Sequence, residues 1–275
     1  MRSSPPDPLP PELAEAIAGA RASGRLNRLG APLLFFSTVG STNDVAAALA
    51  EAGREGAVVI ADQQTAGRGR HGRRWFSPPG SGLYISVVLT PARAGPSATE
   101  RATALLTLAA GVALVDAVEA TTGLAPDLKW PNDLLVGRRK LAGILAESAV
   151  SESGPLHVAL GYGINVSTSA YPSELAARAT SLESELGRPI ERGALCAATL
   201  AALEARYADL VAGRFDAILD AWRRRAPSHQ GARVAWSTPR GPQTGLTAGV
   251  DEGGALLVRV GDRVDRIVAG EISWL

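Results

Sequence analysis

The stretch Ala57-Val58-Val59-Ile60-Ala61-Asp62-Gln63-Gln64-Thr65-Ala66-Gly67-Arg68-Gly69-Arg70-His71-Gly72-Arg73-Arg74-Trp75 decides what kind of α/β chain this is. Residues 67–72 match the dinucleotide fingerprint G-x-G-x-x-G letter for letter. That fingerprint requires a helix opening at the loop and an acidic residue about 20 positions further on. Here Trp75, Phe76, Pro78 and Pro79 follow, a poor start for a helix, and Gly82 to Leu89 reads as a strand leaving the loop. A strand enters and a strand leaves, so the match to the dinucleotide fold is false.

The composition of the loop tells what it is built for. Between Gln64 and Trp75 lie three glycines, four arginines and a tryptophan. Glycines bring bare N–H groups close to a ligand, and guanidinium forks grip phosphate or carboxylate oxygens in pairs. Trp75 either stacks on a base and orders the loop or anchors it in the core. The basic residues elsewhere carry a second signal: of 28, only Lys129 and Lys140 are lysines, and both fall in one stretch. Coding bias toward arginine accounts for this as well as a need for compact ammonium groups does.

Length and composition bound the rest. A chain of 275 residues accommodates a main domain and a small one. A net charge of +1 with clustered basic residues favours a small anionic ligand over DNA coating or membrane binding. Cys196 is the only cysteine, which excludes an internal disulfide, a four-thiolate zinc site and paired-thiol redox chemistry, and the cytoplasm fits best. The apolar run Ala102 to Val115 is short of the ~20 residues of a membrane span and reads as a buried helix.

The expected layout is a disordered leader and short helix over 1–30, a main domain over 31–226 and a small β-barrel over 227–275. Pro11 to Ala22 reads as a helix, Pro32 to Ser37 as a strand and Val45 to Ala52 as a helix preceded by Gly40-Ser41-Thr42-Asn43-Asp44, whose polar side chains serve as N-caps, ligand contacts or both. Thr99 to Ala120 is a long helix. Leu128 to Val136 and Leu141 to Ala146 form a hairpin with Asp133 and Lys140 on its arms, and Leu156 to Val166 is a glycine-marked strand. Two helices, Ala194 to Val211 and Ala217 to Arg225, close the main domain. Short strands at Ala232–Trp236, Gly245–Val250, Ala255–Val260 and Val264–Val268 build the barrel.

These residues suit a carboxylate attacking a nucleotide α-phosphate, a reaction that needs charge neutralised and oxygens aligned. Arg68, Arg70 and Lys140 fit that work, and Asn132 with Asp133 offers an amide and a carboxylate where Mg²⁺ can sit with water and phosphate. No P-loop is present, and none of His71, His157 and His229 stands at metal-ligand spacing or beside a nucleophile.

Five blocks then fall in an order that resembles the biotin protein ligases: Gly40-Ser41-Thr42-Asn43, Gln64 to Trp75, Lys129-Trp130-Pro131-Asn132-Asp133, Lys140-Leu141-Ala142-Gly143-Ile144-Leu145-Ala146-Glu147, and Gly163-Ile164-Asn165-Val166. The C-terminal segment ending Gly270-Glu271-Ile272-Ser273 resembles that family's small SH3-like domain. The resemblance implies an α/β fold related to class II aminoacyl-tRNA synthetase cores, a mixed sheet flanked by helices. It implies that biotin and MgATP give biotinyl-5'-adenylate and pyrophosphate, after which a lysine of a biotin carboxyl carrier domain takes the biotinyl group.

Carried over by motif, Ser41, Thr42 and Gln64 hold the ring region of biotin, with backbone groups near Gly143 in the same pocket. Arg68 and Arg70 meet carboxylate and phosphates, Arg73 meets phosphate or supports the loop, and Trp75 and Asn165 lie near adenine. Lys140 stabilises the transition state, Asn132 and Asp133 serve metal or adenylate, and Asp133 is a candidate base for the incoming lysine. Thr65 stands where the family often has a second glutamine, and His71 where it commonly has a basic residue. The bifunctional members' N-terminal DNA-reading domain has no room before Ser41, so neither specific DNA nor membrane is an expected partner, and a monomer or weak homodimer is expected. Lipoate ligases of the same fold are the nearest rival among enzymes, although their motif runs through consecutive glycines. A nucleic-acid contact through the arginine loop is the rival from another class.

Overall fold

The computed structural model describes residues 5–149, 156–238 and 241–275. Its centre is a seven-stranded mixed sheet formed by β1 (Leu33–Val39), β2 (Val58–Gln64), β3 (Gly82–Leu89), β4 (Asp127–Lys129), β5 (Asp133–Val136), β6 (Arg139–Ala149) and β7 (His157–Asn165), in the order β1-β2-β3-β7-β6-β5-β4. Only β1 and β2 are parallel, joined by the crossover helix α2 (Thr42–Glu51). β3 and β7 are buried along their whole length, because helices cover one face and α2 with the arginine loop covers the other.

The helical layer is α1 (Pro11–Ala22), α3 (Thr99–Thr122), α5 (Arg192–Val211) and α6 (Phe215–Arg225), and the short α4 (Leu182–Leu186) adds Leu182 to the core. Val58, Ile60, Ile85, Val87, Tyr162 and Ile164 pack into this layer, while Phe36, Val59, Val88 and Ala159 pack under Ala46 and Ala50 of α2. The helix α3 is longer than the apolar run within it, and at 24 residues it is long and apolar enough to cross a membrane. It is the main core helix: most of it is buried, and its Asp116 pairs with Arg206 of α5 at 2.7 Å and Arg225 of α6 at 3.0 Å.

One expectation fails at the N-terminus. Residues 1–4 of the expected leader lie outside the described residues, but Asp7 is not free. Its N–H donates to Phe35 O at 2.8 Å, and its carboxylate accepts from the Ser37 N–H and hydroxyl, each at 2.7 Å. Helix α1 is likewise no appendage, because Leu13, Ile17 and Ala20 belong to the main core and α1 packs on α5. A proline-rich segment reads as disordered in sequence because its few apolar residues cannot form a core alone; here they borrow one.

After Pro227–His229 come β8 (Gln230–Thr238), β9 (Gly241–Val250), β10 (Leu256–Val260), β11 (Arg263–Ile267) and β12 (Ile272–Trp274). They form an antiparallel sheet ordered β11-β10-β9-β8-β12, the small all-β unit expected after the helices. Three-residue β12 is too short to announce itself by alternation. The small sheet is docked on the main body: Trp130 Nε1 donates to Gly254 O at 2.9 Å and Arg101 Nε to Glu252 O at 2.9 Å.

Candidate functional site

Strand register builds the floor of the site. Tyr84 of β3 pairs with Gly163 of β7, Gly163 with Gly143 of β6, Gly143 with Asp133 of β5, and Asp133 with Lys129 of β4. These residues form one cross-strand row, and the two-residue period of the strands keeps the row on one face of the sheet. Two of its members are glycines because something lies flat on them. A Cβ on Gly163 would stand 2.6 Å from Trp75 Cε2 and 2.9 Å from Cζ2, and one on Gly143 would stand 3.1 Å from Trp75 Cζ3. The neighbouring Gly161 makes room for Asn43, whose Cγ would be 2.9 Å from such a Cβ. Trp75 thus anchors the arginine loop on the sheet with one edge toward the cavity that the loop roofs.

Lys140 reaches this face by an irregularity. Leu134 pairs with Ala142 but Leu135 with Lys140, so Leu141 is an extra residue in β6. Such a bulge re-aims the side chains on one side of it. Leu141 is fully buried in the core, while Lys140 Nζ sits 2.6 Å from Asp133 Oδ1 and 5.4 Å from the centre of the Trp75 ring. The turn beyond it uses Gly137 at φ 59, the left-handed conformation glycine adopts without penalty.

The cavity over the floor measures about 390 Å³. Ser41, Thr42, Gln64, Arg68, Arg70, Arg73, Trp75, Asn132, Asp133, Lys140, Gly143 and Asn165, all proposed from sequence, line it together. At one end Gln64 Oε1 accepts from Thr42 N at 2.9 Å and Thr42 Oγ1 at 3.2 Å, and its Nε2 donates to Ser77 Oγ at 3.0 Å. The Ser86 hydroxyl lies 2.7 Å from Thr42 Oγ1 and 2.6 Å from Asn43 Oδ1. Ser41 occupies the N-cap position in extended conformation but makes no side-chain cap bond, so the capping reading fails there.

The cations are held by different partners. Arg68 bridges Asp44 at 2.6 Å and Glu147 at 3.0 Å, and Glu147 also accepts from Asn43 Nδ2 at 2.7 Å. Arg70 donates to Asn132 Oδ1 at 3.2 Å and makes no ion pair among the described residues. Burial pushes its guanidinium down, partly offset by Asp133 and Glu271. Arg73 pairs with Glu271, just before β12, and this hydrogen bond holds the Glu271 carboxyl below its usual range. Lys129 faces the same cavity, pushed down by burial, with its ammonium 6.0 Å from the centre of the Trp274 ring.

Two proposed roles meet competition. Asn132 is tied to β6, its Nδ2 donating to Ile144 O at 2.8 Å while its carbonyl accepts from Ile144 N at 2.9 Å. With Oδ1 already accepting from Arg70, it has little left for a metal. Asn165 Nδ2 donates to Thr180 O at 2.9 Å, pinning the 178–180 segment, whose backbone brackets Lys140 through Lys140 N to Arg178 O at 2.7 Å and Thr180 N to Lys140 O at 2.9 Å. Among the described residues no three His, Cys, Asp or Glu side chains converge as a metal site. Sequence reasoning gave Asn43 and Asp44 only a shared capping or ligand role and gave none to Glu147, although the first two adjoin Ser41 and Thr42 and the last ends the Lys140 block. Glu271 and Trp274 gave no local signal because only the docking of the small sheet brings them here.

Comparison with known proteins is consistent along most of the chain. The profile of the biotin/lipoate A/B protein ligase family matches residues 36–165. The chain is 36% identical to the biotin--[acetyl-CoA-carboxylase] ligase of Mycobacterium tuberculosis over 242 residues, 86% of each protein. It is 35% identical to the bifunctional ligase/repressor BirA of Bacillus subtilis, covering 89% of this chain and 74% of that one. The Aquifex aeolicus biotin protein ligase solved with biotin and ATP superposes with a TM-score of 0.73 at 28% identity, over 88% of this chain and 98% of that chain. With its mixed sheet, its glycine floor under a tryptophan and its arginine loop closed over a lysine, the chain belongs to the biotin protein ligases.

Proposed function

We propose that this ligase activates biotin with ATP as biotinyl-5'-adenylate and passes the biotinyl group to a lysine of a biotin carboxyl carrier domain. The observation that carries the reading is the convergence of Arg68, Arg70 and Lys140 over the glycine floor, beside a polar pocket formed by Ser41, Thr42 and Gln64. In the first step a carboxylate oxygen of biotin bonds to the α-phosphorus and the bond to the bridging oxygen of pyrophosphate breaks. Both reactants are anionic, so repulsion is the main barrier the protein has to lower, and preorganised cations in a partly dry site do so with little reorganisation. Arg68 can exchange Asp44 or Glu147 for the substrate carboxylate, and Lys140, stiffened by Asp133 and Trp75, supplies a compact charge at the α-phosphate.

In the second step the acceptor amine attacks the acyl carbon and AMP leaves. We assign the amine proton to Asp133, the carboxylate beside Lys140. A magnesium ion bound with the nucleotide would neutralise phosphate charge. The donor set suits one held mainly by phosphate oxygens, since the cavity carboxylates Asp133 and Glu271 are paired with Lys140 and Arg73 and the Asn132 oxygen is already engaged. The Gln64–Thr42–Ser86 hydrogen-bond chain suits the polar ureido ring of biotin better than the apolar dithiolane of lipoate. Arg68 and Arg73 turned into carboxylates make a poor nucleic-acid face. The test is incubation with biotin, MgATP and a carrier domain: a carrier mass shift of one biotinyl group is expected, and none, with no biotin-dependent exchange of pyrophosphate into ATP, overturns the reading.

A further inference from the structure

Building on the ligase reading, we propose that Lys129 holds the outer phosphates of the nucleotide and the departing pyrophosphate. The argument begins with direction. The pocket proposed for the biotin ring, at Thr42 and Gln64, is on the β2–β3 side of the cavity, and Lys140 reaches in from β6. In an in-line displacement the leaving group departs opposite the nucleophile. A carboxylate arriving from the β2–β3 side therefore drives pyrophosphate toward β5 and β4. Lys129 ends the cross-strand row on β4, directly opposite Asp133, on the cavity side of the sheet. Two strand spacings separate β4 from β6, roughly 10 Å, a span that two extended phosphates and a four-carbon lysine stem cover together.

Charge points the same way. Arg68, Arg73 and Lys140 each have a carboxylate partner, whereas Lys129 makes no ion pair among the described residues, its ammonium lying 6.0 Å from the centre of the Trp274 ring. Lys129 is also surrounded by fellow cations, with Lys140 and Arg73 near enough to disfavour its charge and Asp133 and Glu271 compensating in part. An incoming polyanion relieves that repulsion. Arg70, another cavity cation with no ion pair among the described residues, stands on the same side through its contact with Asn132. Finally, the chain has only two lysines among 28 basic residues, and both line this cavity. That fits two places where a compact, rotatable ammonium serves better than a planar fork.

The test compares wild type with Lys129→Gln in pyrophosphorolysis of biotinyl-5'-AMP. The pyrophosphate KM should rise roughly tenfold to a hundredfold, the loss of one charge-assisted hydrogen bond, and this loss should exceed any loss in transfer from supplied adenylate to a carrier. An unchanged KM, or equal losses in both half-reactions, overturns the proposal while leaving the ligase reading intact; absence of exchange in wild type overturns both. A second measurement needs no variant. Inorganic pyrophosphate should protect Lys129 of the wild-type protein from an amine-acylating reagent, read by mass at its two lysines, and acylation at an undiminished rate in saturating pyrophosphate would refute the assignment.

Discussion

Replacing Gly163 by alanine tests whether the glycine floor exists to seat Trp75. The backbone there has no positive φ, so alanine meets no conformational barrier, and by itself the change should stabilise the fold by about 0.4–1 kcal/mol through the unfolded chain. Against this, the new methyl would stand 2.6 Å from Trp75 Cε2 and overlap Nε1, inside a strand buried along its length. Overpacking of that kind costs about 1–3 kcal/mol, so net destabilisation by up to ~2.5 kcal/mol is expected in urea melts, with lost adenylate formation as the indole lifts the arginine loop from Lys140. The decisive comparison is the same substitution in a Trp75→Ala background, where nothing remains to clash with and Gly163→Ala should become neutral or stabilising. The coupling between the two positions should then be of order 1–3 kcal/mol. An equal cost in both backgrounds would refute the seating argument.

Three other outcomes are expected. Lys140→Ala should fold normally and lose about 10²–10³-fold or more in adenylate formation, the scale of removing one preorganised charge-stabilising group; near-normal pyrophosphate release by this variant would remove Lys140 from the chemistry. The Glu271 carboxyl is depressed by the hydrogen bond from Arg73, so the stability this contact contributes is complete above the ordinary carboxylate value of 4.5 and is lost as pH falls through the lower folded-state value. Glu271→Gln should flatten the melting temperature in that acid window and leave its shape near neutrality unchanged; the same acid limb in both proteins would contradict this. Burial pushes the Cys196 thiol up to about 12, so a disulfide reagent at neutral pH should label it only after unfolding, and rapid labelling of native protein would contradict its place on the buried face of α5.

Much of the site was legible because its chemistry is local. The arginine loop, the Ser41–Thr42 pair and the Asp133/Lys140 hairpin each advertise themselves through residue types that folding alone rarely demands, and all line one cavity. What sequence could not give was the partner of each charge. That Arg68 is shared by Asp44 and Glu147, or that Arg73 meets Glu271, depends on elements distant in the chain. The order of Asp7 was invisible for a similar reason, since its carboxylate is fixed by Ser37 of β1, remote from it in the chain. The fifth short strand, β12, is defined by its neighbour β8 more than by its own three residues.

The extra residue Leu141 lets two neighbouring hydrophobic residues and a cation share one strand. Leu141 and Ala142 are both buried in the core, a doubling that strict alternation forbids, and Lys140 regains the cavity side opposite Leu135. Were the pairing regular with Leu141 kept, Lys140 would lie opposite Val136 and its ammonium would turn toward the helices, where Val136 packs, facing oil instead of phosphate. Excising Leu141 would instead leave Lys140 opposite Leu135 and two places from Gly143, so engineered or natural variants one codon shorter at this point should keep the cation in place and lose only a buried leucine.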